Sequence, residues 1–238
     1  MGKLLFVNTN RVNGIAAIVI CVAMIALGIW LTLDGTYVAA IFVALGLLGI
    51  KFFLKMATQR TELYEQGFRS KNIFNGISGR YADLKSITRS AVRVNGVLNT
   101  DIFLTTNAGE KVIVHNEKFR KGDDKMELLM EQASGAMAET WAKNLERQTD
   151  VVWLMDGAKP LLKIRKDGVL VTDKSGTEIY VPFTQFQIKA THGLGVEILN
   201  ANQKVLPTST AVANFHVGLS LIAILANKRS MTATSSSH

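Results

Sequence analysis

The chain has 238 residues, of which 48% are hydrophobic, and its 27 Lys and Arg residues exceed its 19 Asp and Glu residues to give a net charge of +8. Its single cysteine, Cys21, lies in an apolar run, which excludes an intramolecular disulfide and a cysteine-based metal cluster. The basic excess is spread along the chain, so no nucleic-acid partner is expected.

Two long apolar runs open the chain. Residues 14–33 contain no charged side chain, and residues 38–54 contain only Lys51, near the end of the run. Twenty helical residues at about 1.5 Å each match a hydrocarbon core of roughly 30 Å. Because only residues 34–37 connect the runs, residues 1–57 are predicted to form a transmembrane helical hairpin. A cleaved signal sequence and a buried hairpin of a soluble protein are the alternatives.

The charges that flank the runs predict an orientation. Basic residues lie outside the runs or at their ends, whereas the connecting turn carries one acid: Lys3, Arg11, Lys51, Lys55 and Arg60, against Asp34. The positive-inside rule then places both termini and the remaining domains in the cytoplasm, which predicts a multi-pass protein of the inner (plasma) membrane.

Small residues recur within the two runs, namely Gly28, Ala44, Gly46 and Gly49. Small side chains let membrane helices approach closely. These four residues therefore predict a helix-packing surface for a partner protein, and a homo-oligomer is a further expectation.

The remainder of the chain repeats its order of elements, which predicts two domains, residues 58–149 and 150–228. Gly67 corresponds to Gly168, residues 81–84 to residues 180–183, and the turn at residues 107–109 to the turn at residues 200–202. We expect short antiparallel strands followed by one helix in each half.

In the first half, alternating residues around Asn107-Ala108-Gly109 predict a β-hairpin. A helix follows with one apolar stripe, formed by Met126, Met130, Ala133, Met137, Trp141 and Leu145.

In the second half, residues 161–165, 169–172, 178–181, 186–190, 195–199 and 204–206 are predicted to be strands. A helix is predicted to begin near Ser209, a residue type that favours helix N-termini. Residues 229–238 are small and polar, which predicts a disordered tail.

Short antiparallel strands closed by a C-terminal amphipathic helix resemble the pleckstrin-homology-like (PH-like) domains of bacterial membrane-anchored proteins. Three features carry the resemblance: the Glu65-Gln66-Gly67 turn, the stretch from Tyr81 to Ile87, and the hairpin over residues 103–114. It covers residues 60–148 and, more loosely, 151–227. It implies an α+β chain with two tandem PH-like barrel or sandwich domains behind the hairpin, and such modules bind or scaffold.

The sequence contains few features of an enzyme active site. His115, His192, His216 and His238 have no metal-ligand spacing, and no nucleophile, phosphate-loop or zinc-protease motif is present. His115 is more typical of a structural residue on a strand, and Asp123-Asp124 of a helix N-terminus than of a cation site. We expect no catalytic residue, no cofactor and no metal.

Basic residues of the first half predict contacts to anionic lipid headgroups, through Arg89, Arg93, Lys118, Arg120, Lys121 and Lys125. Clustered guanidinium and ammonium groups neutralise phosphates by charge-assisted hydrogen bonds. A solvated basic surface is the alternative interpretation.

Together these patterns predict a membrane-anchored cytosolic binding or scaffolding module that recognises anionic lipid headgroups or a membrane-protein partner. Two alternatives stay open. One is an accessory subunit of a transport or envelope-stress complex that contacts its partners through the hairpin, and the other is an enzyme with an unrecognised site.

Overall fold

The computed structural model describes residues 1–9, 11–36, 39–94, 97–115, 123–156, 159–172, 175–191, 195–201, 203–209 and 211–235. Within these, the side chains of residues 12, 13, 91–99, 123, 124, 156, 159, 204, 205 and 229–235 are left out of the description. The chain divides into two compact units, residues 2–78 and residues 79–238. The architecture is α+β, with two apolar N-terminal helices and four antiparallel sheets.

Two helices dominate residues 2–78: α1 (Arg11–Leu33) and α2 (Ala40–Thr58). Both are long and apolar enough to cross a membrane. Large apolar side chains on both helices are exposed, including Trp30 at 63% and Leu48 at 70%. A core helix of a soluble protein would bury such side chains, so this exposure favours lipid as their surroundings.

Glycines bring α1 and α2 close together. A Cβ atom at Gly46 would lie 2.5 Å from Ile25 Cγ1, and one at Gly14 would lie 2.4 Å from the backbone nitrogen of Ala57. Neither position has room for a side chain. The two helices therefore pack backbone against backbone, as small residues allow in membrane helices.

A strand precedes the first helix. Strand β1 (Leu4–Thr9) pairs antiparallel with β2 (Arg60–Tyr64), and the sheet continues with β3 (Gly67–Lys71) and β4 (Gly76–Arg80). The hairpin is thus an insertion between the first two strands of a sheet, whereas the sequence predicts residues 1–57 as an anchor alone. The run 4–9 is too short to show a period beside a long apolar segment, and only its pairing with β2 makes it a strand.

Residues 79–238 begin with a three-stranded sheet in the order β5 (Leu84–Val94), β6 (Val97–Thr106) and β7 (Lys111–His115). A single 3-10 turn, Tyr81–Asp83, leads into it. The predicted hairpin is confirmed: Gly109 has a φ of +83°, and Asn107 Nδ2 donates to the Asp83 carbonyl at 2.8 Å. Helix α3 (Asp123–Leu145) follows.

The second half has a four-stranded sheet and a three-stranded sheet, followed by α4 (Phe215–Ser235). The first is formed by β8 (Val151–Asp156), β9 (Lys159–Ile164), β10 (Gly168–Thr172) and β11 (Glu178–Pro182). The second is formed by β12 (Phe186–Ala190), β13 (Gly195–Asn200) and β14 (Gln203–Ser209). The six predicted strands are confirmed, and β8 is additional.

The order of elements is the same in both halves: four strands in one sheet, three strands in another, then a helix. Gly67 and Gly168 each open the third strand, as the predicted correspondence requires. The correspondence of Tyr81 with Tyr180 is wrong by about three residues, because Tyr81 follows β4 whereas Tyr180 lies inside β11. The two tyrosines match in the sequence alignment, but they occupy different positions relative to their strands.

The apolar stripe predicted for α3 is buried at five of its six positions: Met126, Met130, Ala133, Met137 and Leu145. Trp141, the sixth, is half-buried. The stripe is confirmed because the helical period places these side chains on one face.

Helix α4 begins at Phe215, so the start predicted near Ser209 is wrong. The Ser209 hydroxyl accepts from the Ala211 backbone N–H at 3.1 Å and closes a turn at the end of β14 instead. Serine serves turns as readily as helix N-termini. The residue that precedes the helix is Asn214, whose φ of +62° is left-handed and so does not continue into the helix.

At its other end α4 continues to Ser235, so residues 229–235 are helical where the sequence predicts a disordered tail. Each residue added to an existing helix gains one hydrogen bond, and this segment contains no glycine or proline. Residues 236–238 lie outside the described residues.

Asn214 ties the second half to strand β5. Its backbone N–H donates to the Ile87 carbonyl at 2.8 Å, and its side-chain Oδ1 accepts from the Ile87 N–H at 3.0 Å. Its carbonyl accepts from Trp153 Nε1 at 3.1 Å. The helices α3 and α4 also pack on each other. One residue thus fixes both the start of α4 and its attachment to β5.

Trp153 leaves no space beside Gly218. Trp153 is 2% exposed, and a Cβ atom at Gly218 would lie 2.0 Å from its Nε1. The indole therefore packs directly against the backbone of α4.

We expect Gly218→Ala to lower the melting temperature, because the added methyl group must push Trp153 out of a packed core at a cost of about 1–3 kcal/mol or more. Gly135→Ala is the matched control. Gly135 lies inside α3 with nothing within 4 Å of an added Cβ, so the alanine should stabilise by up to about 1 kcal/mol. Equal melting temperatures for the two variants, measured by calorimetry, would contradict this packing.

Candidate functional site

A cleft of about 240 Å³ lies between α3 and α4. It is lined by Glu127, Met130, Glu131, Ser134, His216, Leu219 and Ser220. The first four lie on two successive turns of α3, and the last three lie on the first turns of α4. The helical repeat of each element therefore directs these side chains to one place.

Two polar groups of the cleft are buried without a hydrogen-bond partner in the part of the chain that the structure describes: Ser134 Oγ and His216 Nε2. Ser134 is 1% exposed. A buried hydroxyl or imidazole that lacks a partner costs about 1–3 kcal/mol. Such groups are satisfied when a ligand supplies the missing donor or acceptor, so this cleft is the candidate site.

An ion pair lies at the edge of the cleft. Arg89 Nη1 is 2.6 Å from Glu127 Oε1, and the Arg89 side chain is 24% exposed. Strand β5 supplies the arginine and the first turns of α3 supply the glutamate. Arg89, a predicted headgroup contact, is therefore engaged by a carboxylate of its own chain.

Burial is the main cause that lowers the pKa of His216 below its ordinary value of 6.5. The positive charge of Arg89 lowers it further, and the carboxylate of Glu127 opposes both effects. The imidazole is consequently neutral at pH 7, with one nitrogen that donates and one that accepts.

The volume and the lining limit what the cleft can hold. Pockets for drug-sized ligands and cofactors measure about 300–1,000 Å³, so a cleft of about 240 Å³ suits one side chain of a partner. Two carboxylates, Glu127 and Glu131, line it and disfavour a phosphate. An amide or a cationic side chain, which donates hydrogen bonds, fits this lining.

Of the other predicted headgroup contacts, Lys125 is exposed in the first turn of α3. The side chain of Arg93 and all of Lys118, Arg120 and Lys121 lie outside the described residues. In the second half, Lys163 Nζ donates to Glu178 Oε1 at 2.8 Å, and this hydrogen bond raises the pKa of Lys163. The headgroup cluster stays a prediction.

His115 lies beside a carboxylate, with its Nδ1 at 3.2 Å from Asp101 Oδ1. Among the described residues, no group of three or more His, Cys, Asp or Glu side chains is arranged to hold a metal ion. His192, His238 and the side chains of Asp123 and Asp124 lie outside the description.

Three of the predicted helix-packing residues face the other helix of the same hairpin. A Cβ atom at Gly28 would lie 2.9 Å from Val43 Cγ2, and one at Gly49 would lie 2.7 Å from Cys21 Sγ. Gly46 is packed in the same way. Ala44 is exposed. The glycines therefore hold the hairpin together, and Ala44 is the member left at its surface.

In the sequence, His216 has no metal-ligand spacing and no motif marks Ser134. The two residues are 82 positions apart, and only the packing of α3 on α4 brings them to one cleft. The available signal was the excess of apolar residues on α4, which indicates a helix that packs on more than one neighbour.

Neither a comparison with protein-family models nor one with curated proteins finds a match to this chain.

The lowered pKa of His216 predicts a pH dependence of stability. The unfolded chain binds a proton at His216 more readily than the folded chain does. The free energy of unfolding is therefore highest above pH 6.5 and decreases as the pH falls from 6.5 toward the pKa of His216 in the folded protein. Between pH 7.5 and pH 5 we expect the melting temperature of His216→Gln to fall by less than that of the unchanged protein. Ser220→Ala, which removes no titrating group, should keep the full dependence, and identical slopes for all three proteins would refute this role.

Proposed function

We propose that this protein is a membrane-anchored module that binds a partner protein through its extramembrane domains, with the α3–α4 cleft as a point of contact. The observation that carries the proposal is the pair of buried groups, Ser134 Oγ and His216 Nε2, that line the cleft without a partner among the described residues. A partner side chain with hydrogen-bond donors would satisfy them.

The order of strands supports a PH-like architecture for both halves. Each has a four-stranded sheet, a three-stranded sheet and a following helix, which is the arrangement that the resemblance to PH-like domains implies. In this proposal, each helix follows its two sheets along the chain, and the cleft lies between α3 and α4.

The flanks of the hairpin support a cytoplasmic location of the domains. Pairing of β1 with β2 puts the residues before α1 and after α2 on the same side of the helices. That side carries five basic residues, namely Lys3, Arg11, Lys51, Lys55 and Arg60. The positive-inside rule assigns such a flank to the cytoplasm, so the proposal is a two-span protein of a plasma or inner membrane.

Partner binding fits the cleft better than lipid binding does. The carboxylates of Glu127 and Glu131 disfavour a lipid phosphate, and Arg89 is already paired with Glu127 at 2.6 Å. The proposal therefore assigns the cleft to a protein side chain, either an amide or a cation.

Photo-crosslinking tests the cleft. With p-benzoylphenylalanine at Glu131 in the full chain in native membranes, we expect one discrete protein adduct. Ser220→Trp fills the cleft and should reduce that adduct at least about tenfold, because the partner side chain can no longer enter. The control position is Glu139, which is exposed on α3 but does not line the cleft. Equal adducts at Glu131 and Glu139, or an adduct that Ser220→Trp leaves unchanged, would overturn the assignment.

Membrane topology is tested separately. The full chain should stay in the membrane pellet after alkaline carbonate extraction. In a Cys21→Ala background, a cysteine placed at Gln148 should react with a membrane-impermeant maleimide only after inner-membrane vesicles of cytoplasmic-side-in orientation are permeabilised. Extraction by carbonate would refute membrane anchoring, and labelling of sealed vesicles would refute the cytoplasmic location.

A further inference from the structure

A second pocket lies where helix α2 meets the turn between β3 and β4. It measures about 370 Å³, and its six lining residues are Leu48, Lys51, Phe52, Lys55, Phe74 and Asn75. All of them belong to residues 2–78. We call it the interfacial pocket. Its volume lies within the usual range for small-ligand sites.

The turn that forms one wall, residues 72–75, is ordered by its own hydrogen bonds. Asn72 Oδ1 accepts from the backbone N–H groups of Phe74 at 2.9 Å and Asn75 at 3.2 Å. The Ile73 N–H donates to Thr58 Oγ1 at 3.1 Å, which attaches the turn to the last residue of α2. The turn therefore has a defined position beside the helix.

This ordered turn exposes two large apolar side chains, Ile73 at 59% and Phe74 at 54%. In water that exposure is unfavourable at about 25 cal/mol per Å² of apolar surface. Beside the end of a membrane-spanning helix, the same side chains lie where the acyl chains begin. Their exposure indicates that lipid covers the turn.

The depth of the pocket follows from helix geometry. Lys51 precedes Thr58 by seven residues and Leu48 precedes it by ten, which at about 1.5 Å per residue is roughly 10 and 15 Å along the helix. Phe74 and Lys51 line the same pocket. The turn therefore lies alongside the last turns of the span, at the boundary of headgroups and acyl chains.

The lining separates into a polar and an apolar part. Lys51 and Lys55 are exposed and four residues apart, so their ammonium groups project from one face of α2. Asn75 adds an amide. Leu48, Phe52 and Phe74 are apolar, and no acidic side chain is among the six lining residues.

We propose that the interfacial pocket binds an anionic phospholipid, with Lys51, Lys55 and Asn75 on the phosphate and Leu48, Phe52 and Phe74 on the acyl chains. The proposal depends on the membrane anchoring proposed above. Two ammonium groups favour a lipid headgroup of net negative charge. They favour a zwitterionic headgroup less, because its own cation already balances the phosphate. The bound lipid would fix the turn against the membrane surface.

Native mass spectrometry of the full chain tests the charge requirement. In nanodiscs of phosphatidylcholine and phosphatidylglycerol at 3:1, we expect retained lipid to be enriched in phosphatidylglycerol. Lys51→Gln with Lys55→Gln should leave at least about fivefold fewer phosphatidylglycerol adducts. Lys3→Gln with Arg11→Gln removes the same charge from the same flank outside the pocket and should keep the adducts. Equal loss in both double variants would show only diffuse attraction and would overturn the site.

Spin labelling tests the depth of the turn. In a Cys21→Ala background, a nitroxide on Ile73→Cys should be relaxed more by oxygen than by a water-soluble nickel chelate. The control is Gln66→Cys, in the exposed β2–β3 turn at the far end of the same strands, about 17 Å away for five residues. Its label should show the opposite preference. Water-like accessibility at Ile73 would overturn the proposal.

The two proposals fail in different ways. Protein that carbonate extracts from membranes would refute the anchoring itself. Protein that is membrane-integrated but shows neither phosphatidylglycerol enrichment nor a lipid-exposed Ile73 label would refute the interfacial pocket alone.

Discussion

Pairing of β1 with β2 is the constraint on which residues 2–78 depend. These strands bracket the two long helices, with register partners such as Val7 and Glu62, so the sheet closes the open end of the hairpin. One residue separates each strand from its helix. The helix ends, the sheet and the β3–β4 turn are therefore held together, and this is what sets the apolar turn beside Lys51 and Lys55.

Within residues 79–238, Asn214 has a comparable role. Its left-handed backbone ends the approach to α4, while its hydrogen bonds to Ile87 and Trp153 dock the start of that helix. Contact between α3 and α4 then places Ser134 opposite His216. The cleft is a consequence of how two successive sets of elements meet, which explains why its polar groups come from distant parts of the chain.

Patterns of local period predicted much of the fold. Apolar length predicted the two helices, alternation around Asn107 predicted a hairpin, and the 3.6-residue stripe predicted the buried face of α3. The prediction failed where several local structures are equally good: Ser209 suits a turn as well as a helix start, and residues 4–9 have no strand character without β2. For the site, the sequence predicts that Arg89 contacts lipid headgroups. The structure pairs Arg89 with Glu127, and the spacing of the two residues in the sequence does not predict this contact.

Features that depend on neighbouring residues are legible in the sequence: an apolar hairpin with basic flanks, a repeated order of strands and helices, and the period that buries one face of α3. Contacts between residues that are distant in the chain appear first in the folded structure. It inserts the hairpin into a sheet and packs Gly28, Gly46 and Gly49 within the hairpin. It also forms the interfacial pocket in residues 2–78 and, separately, the α3–α4 cleft in residues 79–238. The reason is physical, because hydrophobic period is a property of each segment, whereas register and long-range hydrogen bonds depend on the partner that a segment finds.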